Sequence, residues 1–349
     1  MAVRLLQVGV GARGKKWAGI LAQEPGVQVV GWVDIDNDAL HWVGRELQGQ
    51  PRMEQARCFT SLDEALEETE PDAVAIITPP AVHEEQVMMS LAAGCHVLCE
   101  KPLALDLAAA KRMVEAAEAA GLLFSICLNF RYLPVTAAYR RLIQSQEFGP
   151  AAYATLTYLR DRDGTLPHLN KYCLELEDSM LVEQSIHHLD LIRFYYNSEV
   201  RAVYCETWNP DWSMYKGDSI VTALLELENG VRVTYVGSWT GGWDELKFQW
   251  RTDCPQGVIF QSDLFGDLAV VGKYEAEPRP IELPEFTPFI DDTAALIGEF
   301  AAAAAGEGPP PCTARDHLTT LALTFACKES SVAGRRVTMA DFMAANGLA

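Results

Sequence analysis

The stretch that decides the fold is Gly9-Val10-Gly11-Ala12-Arg13-Gly14, which directly follows an apolar run, Arg4–Val8. The first glycine permits a tight turn, the second lets backbone N–H groups approach a pyrophosphate, and the third lets a helix pack on the strand. The amino end of that helix adds partial positive charge. The spacing predicts a dinucleotide-binding turn whose cofactor contacts are Gly9, Gly11, Ala12, Arg13 and Gly14.

An acidic residue follows at the distance that such a turn requires. Asp34 ends a second apolar run, Val27–Val33, about 20 residues after the last glycine. A carboxylate there accepts from both ribose hydroxyls and repels a 2′-phosphate, which favours NAD over NADP. Arg13, Lys15 and Lys16 lie close in sequence and keep NADP open as an alternative. A structural glycine turn beside a surface aspartate is the remaining interpretation.

The pattern around this turn is an alternation of short apolar runs and helical stretches. Such alternation predicts right-handed crossovers and a doubly wound parallel sheet, a Rossmann-type domain over residues 1–127. The predicted strands are Arg4–Val8, Val27–Val33, Ala73–Thr78, His96–Cys99 and Leu122–Leu128. The predicted helices are Lys15–Gln23, Asn37–Leu47, Leu62–Glu68, His83–Ala93 and Leu105–Ala120.

The alternation of short apolar runs and helical stretches ends at about residue 128, after which β-rich segments dominate. Glu228-Asn229-Gly230 separates two of them and is a strong hairpin signal. The pattern predicts an α+β domain over residues 128–349 with a mainly antiparallel sheet. Its expected strands are Ala151–Leu159, Arg201–Trp208, Ile220–Leu227, Val231–Trp239 and Leu246–Arg251, and its expected helices are Met180–Tyr196, Ala294–Ala305 and Ala314–Val332.

Composition excludes several classes of function. The 349 residues include 28 Lys+Arg and 48 Asp+Glu, a formal net charge of −20, which disfavours nucleic acid as a partner. No apolar run reaches the ~18–20 residues of a membrane span. The nine cysteines form no Cys-x-x-Cys pair, so neither a disulfide framework nor a metal site is expected. We expect a cytoplasmic protein without a membrane partner.

Two further turns end strands of the predicted parallel sheet. Thr78-Pro79-Pro80 and the nearby His83 lie beside the expected nicotinamide half of the cofactor. Glu100-Lys101-Pro102 follows the next strand, so Lys101 is expected to point into the ligand crevice, where a cation can polarise a substrate oxygen. An isolated lysine, by contrast, is usually a surface residue.

Together these segments resemble the Gfo/Idh/MocA family, named for glucose–fructose oxidoreductase, inositol dehydrogenase and a rhizopine-catabolism enzyme. The resemblance runs nearly end to end. It implies a nicotinamide-dependent enzyme with a Rossmann domain and a C-terminal domain on a large open sheet that serves substrate binding and subunit contact. The shared landmarks are the glycine turn, Thr78-Pro79…His83, Glu100-Lys101-Pro102, Asn129-Phe130-Arg131, Ile186-His187-His188-Leu189-Asp190 and Ser330…Gly334-Arg335-Arg336-Val337.

A predicted helix carries the second chemical cluster. Glu183 and His187 are four residues apart and share a helical face, whereas His188 faces elsewhere. A neutral imidazole suits removal of a hydroxyl proton, and a carboxylate one turn earlier can orient it. Spacing alone equally fits an ordinary polar pair. The resemblance matches Lys101, Glu183 and His187 with the family's catalytic positions, although the commonest family residue at position 183 is Asp.

The resemblance implies an NAD-dependent (or NADP-dependent) oxidoreductase that oxidises a secondary alcohol of a sugar, polyol or inositol-like substrate, or catalyses the reverse reduction. A redox-neutral NAD-dependent glycosidase and a non-catalytic NAD-binding regulator are the alternatives. A homodimer or homotetramer is expected. Further expected cofactor contacts are Thr78, Pro79, His83, Glu100, Lys101 and Asn129. Expected substrate contacts are Arg131, Arg160, His168, Tyr172 and His188. A structural role is equally open for Asn129 and Arg131.

Overall fold

The structure, a computed structural model, describes residues 2–47, 50, 53, 56–166, 169 and 171–348. The chain divides into two compact units. The first comprises Met1–Asn129 with Thr287–Leu318, and the second comprises Phe130–Phe286 with Thr319–Ala349. No helix in the described ranges has the length and apolar character that crossing a membrane requires.

The first unit contains a six-stranded parallel sheet in the order β3-β2-β1-β4-β5-β6. Its central strands bury almost every residue, as strands covered on both faces do. The strand order reverses between β1 and β4, which is where ligands bind in such sheets. The strands are β1 (Val3–Val8), β2 (Val27–Val33), β3 (Arg57–Phe59), β4 (Ala73–Ile76), β5 (His96–Cys99) and β6 (Phe124–Ile126).

Helices connect these strands and confirm the predicted doubly wound class. Asp36, Ser61 and Asp106 cap the second, third and fifth helices by accepting a backbone N–H bond, which satisfies an otherwise unpaired donor. Gly121 ends the fifth in the left-handed region, at φ 65°. The helices are α1 (Ala12–Leu21), α2 (Asn37–Glu46), α3 (Leu62–Thr69), α4 (His83–Ala92) and α5 (Leu107–Ala120).

The second unit contains a nine-stranded sheet in the order β14-β13-β12-β11-β7-β10-β9-β8-β15. It is antiparallel except where β7 and β10 run parallel, so the predicted fold class is confirmed. Gly230, at φ 94°, turns the chain between β9 and β10. The strands are β7 (Tyr153–Leu159), β8 (Val200–Trp208), β9 (Ile220–Leu227), β10 (Arg232–Ser238), β11 (Lys247–Cys254), β12 (Gly257–Gln261), β13 (Leu268–Gly272), β14 (Arg279–Pro280) and β15 (Val337–Thr338).

Two helical segments of this unit matter for the site. The predicted helix Met180–Tyr196 begins as a π-helical turn, Leu181–Ser185, and continues as α7 (Ile186–Tyr196). Such π turns are rare and are frequent at functional sites. A helix that the sequence analysis did not predict, α6 (Pro134–Ser145), starts with proline and buries Val135, Ala138 and Tyr139 at helical spacing.

The segment Thr287–Leu318 packs with the first unit, although the domain boundaries expected from sequence place it in the second domain. Its backbone joins the parallel sheet, because the N–H of Ile126 donates to the carbonyl of Cys312 at 2.8 Å. Its helix, α8, contacts α1. The remaining helices are α8 (Asp291–Ala304), α9 (Ala314–Ala333) and α10 (Met339–Ala345).

Candidate active site

The glycine turn after β1 is built by close backbone contacts. Gly9 has φ +94°, and a Cβ there would lie 2.4 Å from the carbonyl oxygen of Ile77. A Cβ on Gly14 would lie 2.2 Å from the carbonyl oxygen of Gly9. The buried side chain of Gln7 donates to the carbonyls of Gly9 (2.9 Å) and Gly14 (2.8 Å), which joins turn and helix. Gln7 was not among the residues predicted from the sequence, although a polar residue within a buried strand is a usable signal.

The amino end of α1 is suited to an anion. Within the described part of the chain, no side chain caps this end, and the first backbone bond of the turn runs from Lys15 N–H to the Gly11 carbonyl at 2.9 Å. The space in front of Gly11 is open, because a Cβ there would meet no described atom within 4 Å. Backbone N–H groups at a helix start can bind phosphate oxygens. This open cradle fits a pyrophosphate.

Asp34 lies half-buried at the carboxyl end of β2. Its Oδ2 accepts from the N–H of Val10 at 2.6 Å, and its Oδ1 accepts from the N–H of Asp36 at 2.9 Å. Each carboxylate oxygen has two lone pairs, so each keeps an acceptor site for a ribose hydroxyl. The hydrogen bond from Val10 holds the Asp34 carboxylate against the glycine turn.

Arg13 makes its closest charged contact with Glu100. Its Nε donates to Glu100 Oε1 at 2.9 Å, and a further nitrogen donates to Thr293 Oγ1 at 3.1 Å. Trp17 Nε1 donates to the same Glu100 oxygen at 3.1 Å. Burial by itself would raise the pKa of Glu100, but the charges of Arg13 and Lys101 lower it below its ordinary value. Glu100 is therefore a buried carboxylate, and its charge balances that of Arg13.

The other predicted contacts of the first unit lie at turns of the same sheet edge. Thr78 Oγ1 donates to Gln86 Oε1 at 2.6 Å, and Lys101 is half-buried and precedes a cis peptide bond to Pro102. Pro79 directly precedes a short 3₁₀ turn that leads into α4. The Asn129 side chain donates to the buried carboxylate of Asp292. Sequence analysis missed Asp292, since it is distant along the chain.

In the second unit, Glu183 and His187 belong to the π-helical turn and to the start of α7. The hydroxyl of Tyr172 donates to Glu183 Oε2 at 2.9 Å. The ring of Phe130 stacks on His187 with centroids 4.4 Å apart and an interplanar angle of 22°. His187 is only 7% exposed. The second unit thus holds a carboxylate that a phenol fixes and, in the following helical segment, a buried imidazole, and these groups suit proton transfer.

Arg131 forms a bidentate ion pair with Asp190. The distances from Nε to Oδ2 and from a terminal nitrogen to Oδ1 are 2.7 and 2.6 Å. Thr320 also donates to Asp190, at 3.0 Å, and Arg193 donates to Thr320 at 2.7 Å. Because Phe130 immediately precedes Arg131, this network also anchors the ring that stacks on His187.

The other expected substrate contacts differ in their surroundings. His188 is fully buried, and its Nδ1 is 3.0 Å from the Tyr235 hydroxyl. Burial lowers the pKa of His188 to about 3, so its ring is neutral and its contacts are those of a core residue. Arg160 is half-buried at the end of β7, where its backbone N–H donates to the backbone carbonyl of Ser238. His168 lies outside the described residues.

Arg162 is a residue that the sequence analysis did not single out. Its guanidinium lies 4.2 Å from the centroid of the Trp239 ring and donates to the Tyr215 hydroxyl at 3.2 Å. Tyr215 in turn donates to the Arg162 carbonyl at 2.7 Å. Burial by itself would lower the pKa of Arg162, but Tyr215, Cys173 and the charge of Glu183 raise it above its ordinary value. The alternating Arg160-Asp161-Arg162 pattern was the available signal.

Comparison with known families agrees with this geometry. Residues 3–127 match the model of an oxidoreductase family with an NAD-binding Rossmann fold. Residues 136–257 match the model of the GFO/IDH/MocA C-terminal domain. The chain belongs to the Gfo/Idh/MocA family. The predicted resemblance is confirmed, and the chain is an NAD-binding oxidoreductase of this family, as the open cradle and Asp34 also indicate.

Members of the Gfo/Idh/MocA family are similar over most of the chain. A D-apiose dehydrogenase of Paraburkholderia graminis is 26% identical over 90% of this chain and 84% of its own. An inositol 2-dehydrogenase of Acidothermus cellulolyticus is 29% identical over 58% of this chain and 56% of its own. The fold matches a crystal structure of an oxidoreductase from Agrobacterium radiobacter in complex with NAD+, L-tartaric acid and magnesium, with a TM-score of 0.87, 22% identity, and coverage of 98% and 99%.

Proposed function

We propose that the enzyme oxidises a secondary alcohol of a sugar, polyol or inositol-like substrate, or reduces the corresponding ketone. The observation that carries this proposal is the hydrogen bond of Tyr172 to Glu183, four residues before the buried His187, because an imidazole can accept a hydroxyl proton and a fixed carboxylate can stabilise the imidazolium. The names of the relatives, D-apiose dehydrogenase and inositol 2-dehydrogenase, support an alcohol of this class.

Each side chain has one role in this proposal. His187 accepts the hydroxyl proton of the alcohol as hydride leaves the carbon. Glu183, held by Tyr172, orients the ring and stabilises the imidazolium. The Lys101 ammonium stabilises the charge that develops on the substrate oxygen. Bound NAD supplies the hydride acceptor. The glycine turn, the amino end of α1 and Asp34 would hold it.

A panel of sugars, polyols and inositols tests the proposal directly. Each compound is incubated with the protein and NAD or NADP, and reduced cofactor is followed by absorbance. We expect at least one compound to give sustained NADH formation. Glycoside cleavage without net NADH, by a cofactor that stays bound, would instead support the redox-neutral alternative. Tight NAD binding with neither reaction would support a regulator.

Replacing Asp34 by alanine should weaken NAD binding and narrow the preference for NAD over NADP. The carboxylate offers charge-assisted acceptors to the ribose, so the Kd for NAD should rise about 10–100-fold. The Kd for NADP should change less, because repulsion of its 2′-phosphate is also removed. Fluorescence titration of both cofactors measures this. The matched control is Asp38→Ala, which removes an exposed charge from the first turn of α2. Equal effects of the two variants would contradict the role of Asp34.

We propose a homodimer or homotetramer that covers the open face of the nine-stranded sheet. Leu224 is 57% exposed and lies between Tyr204 and Thr234 on neighbouring strands. Exposed apolar side chains that lie next to each other on a sheet, as Leu224 and Tyr204 do, favour association. Leu224→Asp should therefore lower the mass measured by light scattering to that of a smaller assembly. Val332→Asp, at an exposed apolar residue of α9, is the control and should leave the mass unchanged.

A further inference from the structure

The segment Glu100–Leu103, here named the lysine turn, is held by buried side chains on several sides. Pro102 and Leu103 are buried and Lys101 is half-buried. On one side, the Glu100 carboxylate accepts from Arg13 and Trp17, and its Oε2 accepts from the N–H of Lys101 at 3.2 Å. The backbone that carries the Lys101 side chain is therefore anchored to α1.

His83 holds the turn from another side. Its Nδ1 lies 3.0 Å from the carbonyl oxygen of Pro102 and 3.3 Å from that of Leu103, and its Nε2 lies 3.0 Å from the carbonyl oxygen of Thr78. Burial lowers the pKa of His83 below that of a free imidazole. Either tautomer finds an acceptor at 3.0 Å. A ring with one proton donates to a carbonyl of one turn and only contacts the other, so the ring lies between the turn after β4 and the turn after β5.

His317 completes the set from the start of α9. Its Nε2 accepts from the N–H of Leu103 at 3.4 Å, and its side chain is fully buried. Both backbone polar groups of Leu103 thus face an imidazole, the carbonyl towards His83 and the N–H towards His317. Both histidines lie against the turn that carries the proposed cationic group.

We infer that His83 and His317 are positioning residues that hold the lysine turn in register with the Thr78 turn. This rests on the proposed role of Lys101. It reassigns His83, which the sequence analysis expected to contact the cofactor, because its side chain is fully buried and both of its ring nitrogens face backbone carbonyls. A reacting group on a turn must be held closely, since a small displacement lowers the rate strongly.

The first test needs neither substrate nor a variant. Hydrogen–deuterium exchange of the intact protein, followed by mass spectrometry, reports on a peptide that covers residues 100–106. We expect the Lys101 and Leu103 amides to be protected as strongly as those of β5, although they lie outside a strand. Exchange at the rate of an exposed turn would overturn the inference.

The second test compares His83→Ala and His83→Gln with the control His96→Ala. His96 lies at the opposite end of β5, where its Nδ1 accepts from the N–H of Leu123 at 3.0 Å. We expect exchange of the lysine-turn peptide to rise about tenfold in His83→Ala and to be partly restored in His83→Gln, whose amide can donate to the same carbonyl. His96→Ala should leave this peptide unchanged. If His83→Ala does not fold, exchange of the lysine-turn peptide in His83→Gln is compared with that in the wild type and tests the inference.

Cofactor binding and turnover separate positioning from other roles. With an alcohol that the panel identifies, kcat of His83→Ala should fall about 10–100-fold while the Kd for NADH, from fluorescence, stays within about threefold. A Kd that worsens as much as kcat would show that His83 acts on the cofactor, which overturns the inference. Hydrogen–deuterium exchange and NADH binding are measured without turnover. If no alcohol is oxidised, the proposed function is refuted, while these two measurements still test the positioning role of His83.

Discussion

His187→Ala is expected to lose nearly all turnover while it still binds NAD. Removal of a general base typically costs about 10²–10⁴-fold in kcat. The glycine turn and Asp34, which would hold the cofactor, belong to the first unit, whereas His187 belongs to the second. The Kd for NAD should therefore stay near that of the wild type. Steady-state kinetics and fluorescence titration of the same preparations measure both quantities.

His187→Gln controls for packing in this experiment. The imidazole stacks on Phe130, so alanine removes a buried ring as well as a base. Glutamine restores much of the volume and the hydrogen-bonding capacity but cannot accept a proton near neutral pH. We expect both variants to be inactive. Substantial turnover by the glutamine variant would show that His187 contributes packing and that the base lies elsewhere.

Gly14→Ala is expected to damage both cofactor binding and stability. The added Cβ would lie 2.2 Å from the carbonyl oxygen of Gly9, and a backbone atom cannot move aside cheaply. The start of α1 must shift away from the turn, which should destabilise the protein by about 1–3 kcal/mol. The same shift displaces the N–H groups that face the pyrophosphate, so NAD affinity should fall about tenfold or more.

Gly19→Ala is the matched control, because it makes the same substitution in the same helix. A Cβ on Gly19 would meet no described atom within 4 Å, and alanine is the better helix former by up to about 1 kcal/mol. Thermal unfolding should show an unchanged or higher midpoint, with normal NAD binding. If both variants behave alike, the close contact between Gly14 and Gly9 is not what the turn requires.

Much of the first unit could be predicted, because its signals are local. Five of the six strands of the parallel sheet are short apolar runs that the sequence predicted, and β2 and β5 have the predicted ends. The glycine spacing and Asp34 identified the cofactor, since a turn of this type is specified by residues adjacent in sequence. The short strands β3, β12, β13, β14 and β15 were missed. They are two to five residues long and alternate only briefly, so their periodicity is weak.

The site was predicted less completely. Glu183 and His187 were predicted to share a face from α-helical spacing, and the family resemblance implied their catalytic role, but the structure places Glu183 in a π-helical turn. Tyr172 and His188 were both expected to contact substrate. Tyr172 instead donates to Glu183, and His188 lies in the core. Sequence spacing identifies which residues share a helix, but burial depends on what packs against that helix.

The sequence by itself determined the alternation of strands and helices in the first unit, the glycine turn with its acidic partner, and the residue types available for proton transfer. These follow from steric and hydrophobic rules that act over a few residues. Tertiary structure alone decided the partners of the buried charges. Arg13 and Glu100 are separated by 87 residues, and Asn129 and Asp292 by 163. Such pairs form only when the chain closes long loops, and no local pattern records that closure.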